Sequence, residues 1–145
     1  MQRKAHYSAT MQHSVIVRWP CGFFSMPTPT FEITGDGGVR ARDRDTGAVL
    51  ATRPPTGTTV VQLLPLASGV VVREDYYHYP RATSNLYYLD AQLREVWRAE
   101  RPSASDAYSA RVSECDGLLC CFTWECWACE LDPASGRLLR KVWTK

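Results

Sequence analysis

Short apolar runs follow one another along this chain, each bounded by Gly, Pro or Asp, and none keeps helical spacing over roughly ten residues or more. The C-terminal part shows the pattern best. Residues 108–115, 118–124, 127–132 and 137–143 read as four strands, separated by Asp116-Gly117, Glu125-Cys126 and Pro133-Ala134-Ser135-Gly136. Glycine supplies positive φ and proline presets its own, so these separators are turn chemistry. A two-residue turn at Glu125-Cys126 sets Trp124 opposite Trp127, Phe122 opposite Cys129 and Cys120 opposite Leu131. Side chains alternate along a strand, so Leu118, Cys120, Phe122, Trp124, Trp127, Cys129 and Leu131 are expected on one face. Such a face cannot stand in water. It needs a neighbouring sheet.

Upstream the same punctuation recurs. Residues 31–34, 38–43 and 48–52 read as strands, the first two flanking Gly35-Asp36-Gly37, and 14–19 is a further candidate ended by Pro20. After the linker 53–58, strands are expected at 59–64, 69–73, 86–90 and 94–100, and a second linker, 101–106, also begins Arg-Pro. The segment 89–97 aligns with 131–139 and with 42–50. Its anchoring aspartates are Asp43, Asp90 and Asp132, 47 and then 42 residues apart. That period suits four-stranded blades. The pattern of an apolar residue, Asp, a glycine turn, an apolar residue and then Trp resembles the blades of quinoprotein-type (PQQ-like) and Trp-Asp-repeat β-propellers. The resemblance covers roughly residues 30–145 and implies an all-β protein of three four-stranded antiparallel sheets, a half propeller. The expected organisation is a loosely docked lead over 1–13 and one domain over 14–145, with blades near 14–53, 59–100 and 107–145.

Composition adds little to this picture, and charge narrows it. The chain has 145 residues, enough for one domain, and a formal charge of +2 from 17 Lys and Arg against 15 Asp and Glu. Arg40, Arg42 and Arg44 line one side of a strand, but acidic residues stand between and beside them, which argues for a solvated face over nucleic-acid binding. Residues 1–13 hold no apolar run, so neither a signal peptide nor a membrane span is read there, and a cytoplasmic setting is expected.

Six cysteines are present, five between Cys115 and Cys129. Cys126-Trp127-Ala128-Cys129 has Cys-x-x-Cys form, but a zinc knuckle wants a second such pair and a redox motif wants a helix N-terminus. Free thiols used as small core residues are the expectation, with Cys120 and Cys129 buried, reduced and without metal. No nucleophile elbow, phosphate loop or dinucleotide fingerprint occurs. No cofactor is expected.

One insertion breaks the repeat. Glu74-Asp75-Tyr76-Tyr77-His78-Tyr79-Pro80-Arg81 and the residues to Asn85 stand where the other blades have short turns. Insertions on repeat scaffolds mark working faces, and Tyr and Arg dominate binding hot spots. The candidate binding residues are therefore Asp75, Tyr76, Tyr77, His78, Tyr79 and Arg81, with Arg53 and Arg101 from the linkers, and no catalytic or metal residues are assigned. The expected function is a protein- or ligand-binding module. The alternatives are a hydrolase or lyase using Asp75, His78 and Arg81, and a bacterial immunity or inhibitor-type protein with a flat partner face. Three blades do not close a ring, so pairing of two copies through the outer faces of the first and third sheets is also expected.

Overall fold

The computed structural model describes residues 27–145, and eleven strands make up its regular structure. The lead 1–13, the candidate strand 14–19 and Cys21 lie outside the described residues. Among the described residues there is no helix, and so none long and apolar enough to cross a membrane. The strands are β1 Pro29–Ile33, β2 Val39–Asp43, β3 Val49–Arg53, β4 Val60–Leu66, β5 Gly69–Glu74, β6 Leu86–Leu89, β7 Glu95–Arg98, β8 Ser113–Cys115, β9 Leu118–Phe122, β10 Trp127–Leu131 and β11 Leu138–Trp143. They form three antiparallel sheets in chain order, β1-β2-β3, β4-β5-β6-β7 and β8-β9-β10-β11. The all-β, blade-like fold expected from the sequence is the fold observed. The first sheet has three described strands and the others four.

The repeat has a physical basis in its aspartates. Each caps the turn between the last two strands of its sheet: Asp43 Oδ1 accepts from the Asp45 N–H at 2.8 Å, Asp90 Oδ1 from Gln92 and Arg94 at 2.9 Å, and Asp132 Oδ1 from Ala134 at 3.0 Å. These are Asx turns. Gly47 and Gly136 both take φ of 71° at the end of the turn, whereas the shorter second turn places Leu93 at φ 61°. Arg53 holds that strained residue, its Nη1 donating to the Leu93 carbonyl at 3.1 Å.

The middle sheet is buried on both faces, which explains the unbroken Val70-Val71-Val72 run in β5. Val70, Val72, Tyr87 and Leu89 pack on Val39 and Ala41 of the first sheet. Val71, Leu86 and Trp97 pack on Leu119, Cys121, Cys129 and Leu131 of the third. Polar clasps reinforce the second joint. Gln62 donates to the Val112 carbonyl at 2.7 Å and accepts from its N–H at 2.8 Å. Asn85 does the same for Tyr108, at 2.9 and 3.0 Å. The expected strand 108–115 is consequently broken. Tyr108 makes one isolated bridge to Thr123, and only 113–115 pairs along β9, because the Val112 backbone is taken by a side chain of the middle sheet.

The expected β9–β10 register is off by one residue. The loop holds three residues, Trp124-Glu125-Cys126, closed by the Thr123 N–H on the Trp127 carbonyl at 2.9 Å, with Cys126 at φ 71°. Phe122 stands opposite Ala128, Cys121 opposite Cys129 and Leu119 opposite Leu131. A one-residue slip turns every β9 side chain over. Leu119 and Cys121 are buried instead of Leu118 and Cys120, while Phe122 and Trp124 are exposed. Cys129 is buried as expected.

The thiols follow that register. Burial pushes the Cys121 thiol far up and the Cys129 thiol to about 11, while half-buried Cys120, beside the Cys115 thiol, also rises to about 11. Alkylation of the native protein at mildly alkaline pH should modify exposed Cys115 before the other described thiols and leave Cys121 and Cys129 unmodified until denaturant is added. Peptide mapping reads the order, and early labelling of Cys121 with Cys115 protected would contradict this register.

The two outer faces differ. The third sheet leaves Phe122 and Val142 exposed, whereas the first presents Glu32 paired with Arg42 at 2.7 Å and with Arg40 at 3.3 Å.

Candidate functional site

The insertion between β5 and β6 is built on Glu74 and Asp75. Glu74 is fully buried, and its carboxylate accepts from the N–H groups of Thr56, Gly57 and Thr58 at 2.8 to 2.9 Å and from the Tyr87 hydroxyl at 2.6 Å. Burial pushes its pKa up, but these four donors outweigh burial and hold it below the usual carboxylate range. The 53–58 linker is thereby tied to the start of the insertion. Asp75 continues the tie, accepting from the Thr58 hydroxyl on its carbonyl at 2.6 Å and from the Tyr77 N–H on Oδ1 at 3.0 Å.

The chain then turns sharply, with His78 at φ 64°. Tyr79 goes inward. It is buried, its ring lies against Gly57 and its hydroxyl accepts from Arg98 Nη1 at 2.8 Å. Tyr77 goes outward at 66% exposure, with the His78 ring edge-on at 4.2 Å.

A second wall comes from the connector between the middle and third sheets. Arg101 Nη1 donates to the carbonyls of Arg81 and Ala104 at 3.0 Å and of Asp106 at 3.4 Å, stapling connector to insertion. Asp106 is 2% exposed, and its Oδ1 accepts from the N–H groups of Ala107 at 2.8 Å and Glu125 at 3.0 Å. Glu125 in turn accepts from the hydroxyls of Ser103 and Ser105. The β9–β10 loop is thus fixed against the connector. Trp124, 64% exposed, stacks on Tyr76 with centroids 5.4 Å apart.

These pieces line a cleft of about 400 Å³, the insertion contributing Tyr76, Tyr77, His78 and Arg81, the connector Arg101 and Asp106, and the β9–β10 loop Trp124. Of the residues singled out in the sequence, Tyr76, Tyr77, His78, Tyr79, Arg81 and Arg101 meet at this cleft. Asp75 forms the turn beneath it. Arg53 is elsewhere, donating to Leu93 and lying 3.9 Å from Glu95. Asp75, His78 and Arg81 make no hydrogen bond to one another, and the Asp75 carboxylate is engaged by a backbone N–H. Among the described residues no group of three or more His, Cys, Asp or Glu is placed to hold a metal ion. Two site residues went unnoticed in the sequence. A two-residue turn at Glu125-Cys126 would put Trp124 on the covered apolar face, whereas the three-residue loop exposes it, and Asp106 carries no signal in the connector.

No protein-family model and no curated protein matches the chain. Solved structures do match. BamB from Moraxella catarrhalis, a PQQ-like β-propeller protein, superposes with a TM-score of 0.59 at 17% identity, over 80% of this chain and 33% of BamB. The computationally designed protein Ika4 gives 0.58 at 16% identity, over 79% of this chain and 66% of its own. The designed Ika8 gives 0.55 at 18% identity, over 79% and 32%. The chain therefore spans a third of BamB, and its likeness to these proteins is one of β-propeller fold.

Proposed function

We propose that the protein is a binding module and that the cleft between the 75–85 insertion and the 101–107 connector is its recognition site. One observation carries this reading: three aromatic residues, Tyr76, Tyr77 and Trp124, and the exposed Arg81 line a single concavity, with Tyr77 and Trp124 more than half exposed. Large apolar groups left in water beside an arginine are the composition of interface hot spots. The scaffold beneath is rigid, tied by Glu74, Arg98 and Arg101, so little ordering entropy opposes binding. The site is concave, which does not suit the flat face of an inhibitor-type protein.

The test is affinity capture from the native host with the wild-type chain, followed by titration of what is captured. Tyr77→Ala and Arg81→Ala should each weaken that binding by more than about 1 kcal/mol with nearly unchanged melting temperature, since both side chains are exposed. If both variants bind normally, or both simply unfold, the insertion is a structural cap and the reading fails.

A further inference from the structure

We propose that the outer face of the third sheet is an interface on which a second copy of this chain docks face to face about a twofold axis. This surface is separate from the cleft. The three sheets stack in order, each covering the forward face of the one before. Val39 and Ala41 lie under the middle sheet, and Val71, Leu86 and Trp97 lie under the third. Strand pairing sets the corresponding face of the third sheet. Phe122 stands opposite Ala128 and Ala128 opposite Val142, while Glu130 stands opposite both Cys120 and Arg140. These six residues line a concavity of about 190 Å³. No described sheet covers them, and Phe122 is 50% and Val142 46% exposed.

Apolar side chains grouped in water mark an interface, and its chemistry says what it fits. A copy added head to tail would bring up its first sheet, whose outer face carries Glu32, Arg40 and Arg42. That arrangement would desolvate charges against Phe122 and Val142. Nor can the third sheet grip a following segment as the middle sheet grips the third. Counted from the paired strands, the positions of Gln62 and Asn85 are held here by Arg111 and Trp127. Arginine and tryptophan side chains only donate, so neither can serve both the N–H and the C=O of a residue.

The face is instead complementary to itself. Glu130 and Arg140 stand side by side, 3.9 Å apart and so beyond hydrogen-bond reach, with the Arg140 side chain 67% exposed. In a twofold pair every contact occurs twice, with the roles of the two copies exchanged. An axis running between β10 and β11 therefore brings Glu130 to the partner's Arg140 and Arg140 to the partner's Glu130. The same axis sets small Ala128 over the partner's Val142. Apolar burial holds such a pair together, and the crossed charges fix its register. Cys115, on β8 opposite Leu118, lies at the far corner of the face and outside this contact.

The experiment is sedimentation equilibrium of the full chain at micromolar concentration, where a dimer is expected. Phe122→Asp, at an exposed position, should leave a folded monomer. Glu130→Arg sets like charges across the axis, and so does Arg140→Glu, so each alone should weaken association about tenfold or more. Mixing these two variants should restore dimers, because every charge on one copy then meets its opposite on the other. The double variant Glu130→Arg/Arg140→Glu should dimerise by itself. Rescue on mixing keeps the test independent of folding, since unfolded chains would not re-form the pair. A chain that is monomeric throughout, a dimer indifferent to Phe122→Asp, or a mixture no better associated than its components would each overturn the proposal.

Discussion

Glu74→Ala is expected to lower the unfolding free energy by about 3 to 4 kcal/mol. The substitution removes the acceptor of three backbone N–H groups and of the buried Tyr87 hydroxyl at one stroke. Thr56 and Gly57 are exposed and can turn to water, which keeps the loss below the sum of four orphaned donors. Tyr87 cannot: it is fully buried beneath the Arg98 guanidinium, 4.5 Å from its ring centre. Glu74→Gln keeps one carbonyl oxygen and should lose less. Denaturant midpoints of the three proteins check the order, and an alanine variant as stable as wild type would show that the 53–58 linker is not held this way.

The same carboxylate carries a pH signature. Its folded pKa lies below the ordinary value of 4.5, so the unfolded chain takes up a proton first as the solution is acidified. Its contribution is therefore complete above about pH 4.5, and is lost as pH falls through the depressed folded value. Glu32, Asp36 and Asp132 are also held low, but all three are solvated. The stability difference between wild type and Glu74→Gln isolates the buried group. It should be constant near neutrality and shrink in acid.

What the sequence made legible is what local chemistry decides. Asp43, Asp90 and Asp132 could be aligned because each closes its turn with its own side chain, so the repeat of the residue is the repeat of the hydrogen bond. The β9–β10 register was not legible for the opposite reason. Glu125-Cys126 alone reads as a two-residue turn, but the Glu125 N–H is claimed by Asp106 and the Trp124 N–H by the Ala107 carbonyl. Contacts some twenty residues away in the chain fix a three-residue loop, and the loop fixes which cysteine is buried.

The site divides along the same line. An insertion of tyrosines in a repeat is visible as a break in pattern, and it does form one wall of the cleft. Which tyrosine anchors and which is presented depends on Arg98 reaching Tyr79 and on His78 reversing the chain, and neither follows from spacing. Trp124 was misplaced by the register slip that misplaced Cys120. Arg53 was expected at the rim because its linker is there, yet its side chain runs the other way to support Leu93.

Gln62→Leu is expected to cost about 2 to 3 kcal/mol, although leucine fills much of the same volume and is the more apolar residue. Gln62 is 7% exposed, and the residue it serves, Val112, is 1% exposed. Its amide meets both the N–H and the C=O of Val112, standing in for the strand partner that the broken 108–115 segment lacks. Leucine would leave both backbone groups buried and unpaired, and that penalty outweighs the gain from one more apolar side chain. Asn85 performs the equivalent service for Tyr108, four residues earlier in the same segment. Because the two clasps hold one stretch of chain, their losses should not add. Once Gln62→Leu has loosened that segment, Asn85→Leu should cost less than it does in the wild-type background. A double-mutant cycle in denaturant measures this. Strict additivity would mean that each clasp holds independently, and a neutral Gln62→Leu would mean that Val112 finds another partner.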